Sequence, residues 1–344
     1  MQPYTLAKIY AWRGSLLSKT FIQELTSSRS LTDFVEALKA TPYSHEAQQI
    51  TPPLSALKIE HALRRRLVKT HHRLMTLEHG DRVLRALFDR YISRDFKIIF
   101  RGILAGLKGE ELSRLVDLYA EELLGLRDVI ARLIAAESPD DAVTIIRGYA
   151  TVDPSIPIFE KTQDPAALEV EIDRWFMHGV LRALRRAPRT QRQNLRSLLE
   201  PIYLKFILTS VLRGKIWRLQ PRDIWGVVEG LVEEPLKSLI SVAIEADDIE
   251  SLRRALSVMP KGSLPPLGDA STLASLVASL ERGFREMLVF RARRSFLRPF
   301  DEPSLPIAMV LLLEEEVAQL VAVAAGIEQK VDTNILIESL IPLT

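Results

Sequence analysis

The chain of 344 residues contains no cysteine. This absence excludes disulfide bonds, thiol nucleophiles and every metal site built on thiolate ligands. Only histidine, aspartate or glutamate could hold a metal ion. At about 150 residues per domain, the length allows two or three compact units.

A large excess of charge of one sign is also missing. The chain has 46 lysines and arginines against 44 aspartates and glutamates, a formal net charge of +2. This balance argues against a protein whose main task is to bind nucleic-acid phosphates. A hydrophobic share of 47% and a charged share of 26% exclude wholesale disorder.

Targeting and membrane-spanning segments are missing as well. Residues 1–20 lack the apolar core of a signal peptide, so we expect the chain to remain in the cytoplasm. The longest apolar stretch, residues 305–327, carries Glu314, Glu315 and Glu316 near its centre. Carboxylates at a bilayer centre are costly, so this stretch predicts a buried helix of a water-exposed protein.

Motifs for enzyme chemistry are not found. The sequence contains neither Gly-x-Gly-x-x-Gly nor Gly-x4-Gly-Lys-Ser/Thr, so it offers no recognisable cradle for nucleotide phosphates. Gly102, Gly106 and Gly109 fit the ends of neighbouring helices better than a phosphate loop. Asp247-Asp248 is typical of a helix N-terminus. We therefore predict no catalytic residues and no cofactor.

Four of the six histidines lie close together in the sequence, at positions 61, 71, 72 and 79. Zinc sites on helices favour histidines four residues apart, and this group lacks that spacing. The arginines and lysines between them favour a polar helix face. No metal site is predicted.

Apolar residues recur every three to four positions, as at Ile172, Phe176 and Val180, and alternation with a period of two is scarce. This spacing predicts an all-α protein. Prolines such as Pro188, Pro201 and Pro221 are expected to mark the joints between helices.

An internal repeat is the strongest pattern in the sequence. Arg-Gly pairs follow apolar helices at Arg13-Gly14, Arg101-Gly102 and Arg213-Gly214, and Gly326 follows another. Positions 102, 214 and 326 are separated by steady intervals of 112 residues. Self-similarity at a fixed interval indicates a repeat architecture.

Three further segments support the repeat, because residues 30–38, 138–146 and 248–256 resemble one another. Each is predicted to open a helix with an acidic cap. The sequence is thus divided into helical repeats at 1–88, 89–200 and 201–306, with helices at 307–344 that close the last repeat.

The same regions carry a resemblance to a known family. A Tyr-containing helix ends in arginine and a double leucine, a Thr-x-Tyr follows, an aspartate-containing helix ends in arginine, and a Glu-rich aliphatic run lies near the C-terminus. These are Tyr10, Arg13, Leu16 and Leu17; Thr41-Pro42-Tyr43; Asp95 to Arg101; and Leu313-Glu314-Glu315-Glu316-Val317. The pattern resembles the C subunits of V/A-type ATPases, whose eukaryotic relatives are the d subunits.

The sequence departs from the family pattern at several positions. Lys97 and Ile98 stand where the family has an asparagine after the aspartate. Leu313 replaces the lysine of the C-terminal run, and Gln319-Leu320-Val321 replaces Asn-Leu-Arg.

The resemblance implies a fold and a role. It implies three pseudo-symmetric helical repeats that form a funnel-like body. Such a body is a non-catalytic rotor component, a socket between the central shaft and the proteolipid ring that serves proton or sodium transport. We expect it to lie on the cytoplasmic face of the membrane and to be a monomer when isolated. A helical-repeat adaptor for another protein complex is the alternative, and an enzyme is a distant third.

Basic clusters recur with the repeat, at residues 64–73, 182–196 and 282–298. A solvated face is the default interpretation, since long cationic side chains also cover apolar surface. The functional alternative is contact with acidic partner surfaces. Its candidate residues are Arg64, Arg65, Arg66, Arg185, Arg186, Arg189, Arg291, Arg293 and Arg294. Arg13, Arg101 and Arg213 are expected instead to cap helix ends or to pair with carboxylates.

Overall fold

The computed structural model describes residues 2–78, 81–150, 164–234, 236–298 and 302–343. Within these ranges the regular structure is helical and strands are absent, which confirms the all-α prediction. The helices are α1 Pro3–Gly14, α2 Lys19–Leu25, α3 Leu31–Leu38, α4 Ser44–Gln48, α5 Ala56–Leu77, α6 Arg82–Leu104, α7 Glu110–Ser113, α8 Tyr119–Leu124, α9 Arg127–Ile134, α10 Pro139–Ala150, α11 Pro165–Arg185, α12 Arg189–Ile216, α13 Pro221–Val228, α14 Leu236–Glu245, α15 Ile249–Ser257, α16 Leu273–Ser295, α17 Leu305–Gln329 and α18 Thr333–Glu338.

The order of long and short helices repeats along the chain. Two consecutive long helices occur three times, as α5 and α6, α11 and α12, and α16 and α17. Short helices lie before, between and after these pairs. The helices α3, α10 and α15 begin at residues 31, 139 and 249, where the three similar segments predicted helix starts. The chemistry of the caps was predicted wrongly for two of them, because serine hydroxyls cap α3 and α10. Asp248 supplies the predicted carboxylate cap for α15.

The three glycines spaced by 112 residues end their long helices in the same way. The carbonyl oxygens of Gly102, Gly214 and Gly326 accept hydrogen bonds of 2.9–3.0 Å from the amide five residues further on. This six-to-one bond is typical of the Schellman termination, in which the residue before the donor is left-handed.

The left-handed position is occupied each time by the fourth residue after the glycine. Gly106 has φ +83°, Arg218 has φ +55° and Lys330 has φ +56°. Side chains with a Cβ atom rarely adopt this conformation. Its recurrence at Arg218 and Lys330 shows that the termination itself is repeated. The Arg13-Gly14 pair differs, because α1 ends at Gly14 and Ser15 has φ −94°.

A buried aliphatic residue follows each of these glycines by ten positions, at Leu112, Ile224 and Leu336. An added Cβ on Gly214 would lie 2.7 Å from Ile224 Cγ1, and one on Gly326 would lie 2.6 Å from Leu336 Cδ2. The missing side chain therefore lets the next short helix approach the end of the long one.

Replacing Gly214 by alanine is expected to destabilise the protein. Overpacking against Ile224 costs about 1–3 kcal/mol, and the higher helix propensity of alanine offsets about 1 kcal/mol of it. Gly179, within α11, is the matched control, because nothing lies within 4 Å of an added Cβ. Gly179→Ala should leave stability unchanged or raise it by about 0.5–1 kcal/mol. Urea unfolding of both variants measures the difference, and equal stabilities would contradict the close-approach argument.

One proline was predicted wrongly as a joint. Pro201 lies inside α12, which continues to Ile216. A proline within a helix removes one backbone hydrogen bond. The helix continues because Leu199, Tyr203 and Leu204 on either side of it are buried, and tertiary packing supplies most helical stability. Pro188 and Pro221 do mark helix starts.

The described chain forms two compact units. The first comprises Met1–Phe88, Leu115–Leu126 and Val289–Thr344, and the second comprises Asp89–Arg114 and Arg127–Leu288. The sequence-based division into 1–88, 89–200, 201–306 and 307–344, and the three-repeat funnel that it implies, stay predictions.

The first unit is organised around α17, which packs against α1, α2, α3, α5 and α18. Seventeen of the 25 residues of α17 are buried, including all from Leu305 to Leu313, which explains the long apolar stretch from residue 305. No helix in the described ranges is long and apolar enough to cross a bilayer. Glu315 and Glu316 are buried within this apolar helix.

The second unit contains the helix pair α11 and α12, which pack against each other. Two ion pairs are related by the repeat interval, Arg101 with Glu169 and Arg213 with Glu281. Each joins residues that are 68 positions apart in the sequence. The prediction that these arginines pair with carboxylates is confirmed.

Candidate functional site

Three separate segments of the first unit meet at the carboxylate of Glu316. The Tyr43 hydroxyl donates a hydrogen bond of 2.6 Å to Glu316 Oε1. The backbone N–H of Leu17 donates to Glu316 Oε2. Leu17, Tyr43 and Glu316 belong to the first, second and fourth of the family-like motifs. The motifs therefore converge on one buried contact.

Tyr43 is held in place from two further directions. The Thr41 hydroxyl accepts a hydrogen bond of 3.1 Å from the Tyr43 backbone N–H. The Arg66 guanidinium lies 4.8 Å from the centre of the Tyr43 ring and donates to the carbonyl oxygen of Pro42. The Thr-Pro-Tyr motif thus fixes the direction of the hydroxyl that reaches Glu316.

Burial dominates the electrostatics of this contact. It raises the pKa of the Glu316 carboxyl, while the hydrogen bonds from Tyr43 and Leu17 and the charge of Arg66 oppose the shift. Burial and the neighbouring Glu316 also raise the pKa of Tyr43 well above its ordinary value. Each oxygen of the carboxylate accepts from a donor of the protein itself. Glu316 therefore joins distant segments of the chain through hydrogen bonds.

The remaining residues of the first motif pack on an aromatic ring of the same unit. Tyr10 contacts Phe296 edge to face, with 5.7 Å between ring centres. The Arg13 guanidinium lies 4.7 Å from the centre of the Phe296 ring. Arg13, in the last turn of α1, therefore makes a cation–π contact, whereas the sequence led us to expect a helix cap or a pair with a carboxylate.

The third motif lies in the second unit. Asp95 is buried and accepts a bond of 2.9 Å from Arg94. Arg101 donates through Nε and through a terminal nitrogen to the two oxygens of Glu169. Such two-point pairing fixes orientation as well as distance. The motif arginine therefore braces α6 against α11.

Two positions that depart from the family pattern, Leu313 and Gln319, are buried and make contacts within the first unit. Leu313 is buried, so a lysine at this position would place a charge in the core. The Gln319 amide donates bonds of 2.8 Å to Glu315 and 3.0 Å to the carbonyl of Ile341. Gln319 thereby fastens the C-terminal segment to α17.

The first arginine cluster is engaged within its own unit. Arg64 pairs with Glu60 at 2.7 Å. Arg65 donates bonds of 2.7 and 2.9 Å to the two oxygens of Asp117. With Arg66 held at Pro42 and Tyr43, the three arginines named from the sequence all have intramolecular contacts.

In the second cluster, one of the three named arginines has intramolecular hydrogen bonds and two are exposed. Arg185 donates bonds of 3.2 Å to Glu233 and to the carbonyl of Gly230. Arg186 and Arg189 are exposed, and neither forms an ion pair with any residue that the structure describes.

The third cluster lies at the end of α16. Arg293 reaches the carbonyl of Pro342 at 3.4 Å, Arg291 is half-buried and Arg294 is exposed. Phe290 and Leu297 are exposed on either side of Arg294.

The histidines do not converge within the part of the chain that is described. His61 contacts the carbonyl of Leu115 at 3.3 Å, and the buried His71 contacts that of Leu84 at 2.9 Å. His72 packs against Phe88. His79 lies outside the described residues.

Sequence reasoning missed two features. Glu316 was recognised only as part of a motif, and the ion pair of Arg196 with Glu233 was not foreseen. The available signal for Glu316 was a triple glutamate inside an otherwise apolar helix.

Comparison with known proteins agrees with the resemblance seen in the sequence. The family model described as ATP synthase (C/AC39) subunit matches residues 5–338. The C subunit of the A-type ATP synthase of Thermococcus kodakarensis is 21% identical over 347 aligned positions. The alignment covers 97% of this chain and 89% of that protein.

Proposed function

Because this chain belongs to the ATP synthase (C/AC39) subunit family, we propose that it is a non-catalytic rotor component that couples the central shaft to the membrane proteolipid ring. It acts as a socket, so that rotation of one partner drives rotation of the other during proton or sodium transport. The observation that carries the proposal is the family match over residues 5–338, nearly the whole chain.

Stiffness is the physical property that such a socket needs. Densely packed helical interiors resist compression and transmit strain. The Glu316 contact joins α17 to segments 299 and 273 residues earlier in the sequence, at Leu17 and Tyr43. The ion pairs of Arg101 and Arg213 brace further helices. These contacts support a part that carries torque.

The socket would meet the shaft and the ring as a peripheral component on the cytoplasmic face of the membrane. Exposed arginines such as Arg186, Arg189 and Arg294 are available to acidic surfaces of these partners. Complementary charge governs the encounter and orientation of two proteins more than their final affinity.

Reconstitution of the rotary complex with and without this chain tests the role. Without it, we expect ATP hydrolysis by the catalytic components to continue and ATP-driven ion uptake into vesicles to be lost. Adding the wild-type chain should restore uptake. Ion uptake that is equally fast in its absence would contradict the proposal. Purification from native membranes with an unrelated complex would favour the adaptor alternative.

A further inference from the structure

A small cleft opens in the second unit between the end of α11, the start of α12 and the segment after α13. Three arginines, Arg185, Arg192 and Arg196, line it together with a single carboxylate, Glu233. Its volume of about 40 Å³ is several times the space that one water molecule needs. The cleft can therefore admit a group the size of a carboxylate.

The charges in this cleft are not balanced. Glu233 is shared by two arginines, because Arg185 contacts its Oε1 at 3.2 Å and Arg196 contacts its Oε2 at 2.7 Å. Three arginines thus line the cleft with one carboxylate, and even with the nearby Glu200, which also acts on Arg196 and Tyr203, one positive charge remains in excess.

Arg192 supplies the donor that is not used. One of its terminal nitrogens donates a bond of 2.9 Å to the carbonyl of Ala187. Its Nε–H is buried and donates to no atom of the described residues. A buried donor without an acceptor is costly, so a rotation of the Arg192 side chain that brought this N–H to an acceptor in the cleft would be favoured.

The polar side of the cleft also includes Tyr203, which is buried and hydrogen-bonded to Arg196. Burial raises the pKa of this phenol, which therefore remains protonated. The rest of the lining, the leucine wall, is apolar and consists of four buried leucines, Leu181, Leu184, Leu231 and Leu236. Donors and an aliphatic wall thus face the same small space.

We propose that this cleft binds the carboxylate of a glutamate side chain presented by a partner polypeptide. The planar guanidinium fork matches a carboxylate in geometry and charge. The methylene groups of the glutamate would lie against the leucine wall and lose their contact with water. A bare inorganic anion would satisfy the arginines but leave that wall without a partner. The inference holds for any acidic partner and does not rest on the rotor role.

Titration of the full-length chain, labelled at its leucine methyl groups, with a blocked peptide tests this inference. The probe is acetyl-Ala-Glu-Ala-amide, and acetyl-Ala-Gln-Ala-amide is its neutral counterpart. We expect the glutamate peptide to shift the methyl signals of Leu184 and Leu231 saturably, with a dissociation constant of about 1 mM, as suits a few charge-assisted hydrogen bonds. The glutamine peptide should bind at least about 10-fold more weakly.

Two substitutions distinguish peptide binding in the cleft from a general effect of the protein's positive charge. Arg192→Gln should weaken binding of the glutamate peptide about 10-fold or more, because it removes the unused donor. Arg186→Gln removes the same charge at an exposed position that does not line the cleft, and should change binding less than about twofold. If Arg192→Gln lowers the melting temperature sharply, Arg192→Lys is tested instead. This variant keeps the positive charge but lacks the planar guanidinium group that can donate two parallel hydrogen bonds.

Three results would overturn the proposal. The first is the absence of saturable shifts with the glutamate peptide. The second is inorganic phosphate binding as tightly as the peptide, which would indicate a site for bare anions. The third is free glutarate binding about 10-fold more tightly than the peptide, which would indicate a small dicarboxylate as the ligand. These titrations use the isolated chain, so they can fail while the rotor role stands.

Discussion

Replacing Glu316 by alanine is expected to lower the free energy of unfolding by about 3–5 kcal/mol. The substitution leaves the Leu17 N–H and the Tyr43 hydroxyl without their acceptor in a buried environment. Each unsatisfied buried group costs about 1–3 kcal/mol, and the removed side chain leaves a cavity as well. Urea unfolding followed by circular dichroism measures the loss.

Glu316→Gln is the matched control for this loss. The amide oxygen can accept from Leu17, and the amide nitrogen can donate to the Tyr43 oxygen, so both neighbours keep a partner. We expect a destabilisation of no more than about 1.5 kcal/mol for this variant. If the alanine and glutamine variants were equally stable, the hydrogen bonds of Glu316 would contribute nothing measurable.

The raised pKa of Glu316 adds a pH dependence with a definite sign. Between the ordinary value of 4.5 and the higher folded-state pKa, the folded protein retains a proton that the unfolded chain releases. Stability contributed by this group is therefore fully present below pH 4.5 and decreases as the pH rises through the folded-state pKa. The wild type should lose stability relative to Glu316→Gln over this window. A wild-type advantage that grows with rising pH would contradict the assignment.

The sequence could predict the helices and the recurring helix ends because these depend on local spacing. Gly102, Gly214 and Gly326 each stand near a helix end and are followed by an aliphatic residue ten positions later. All of these are visible within one short window of sequence. The ion pairs of Arg101 and Arg213 follow the same interval, so one would have predicted the other.

The Glu316 contact could not be predicted in the same way. Its partners lie 299 and 273 residues away in the sequence. The sequence also contains three adjacent glutamates, and it does not show which of them accepts these hydrogen bonds. Only the packing of α17 decides that Glu316 faces Tyr43 while Glu315 faces Gln319. The cleft is a similar case, because one carboxylate, Glu233, joins two arginines that a basic cluster alone would place in solvent.

Charge reversal at both Arg186 and Arg189 is expected to weaken assembly with the rotor partners about 100-fold at low salt. Like charges facing each other across an interface cost several kcal/mol, and this cost falls as ionic strength screens it. Arg185 is left unchanged, because a glutamate there would face Glu233 and disturb the fold itself. Binding to the reconstituted complex at two salt concentrations measures the effect.

The same charge reversal at Arg186 and Arg189 should leave the folding stability nearly unchanged. Both side chains are exposed, and exposed charges contribute only about 0–1 kcal/mol to stability. The matched control reverses Arg82 and Arg132, which are exposed and lie outside the three basic clusters. This control changes the net charge equally and should assemble normally. If both double variants lost affinity to the same extent, net charge alone would explain the loss. If neither did, the second basic cluster would be a solvated face with no part in assembly.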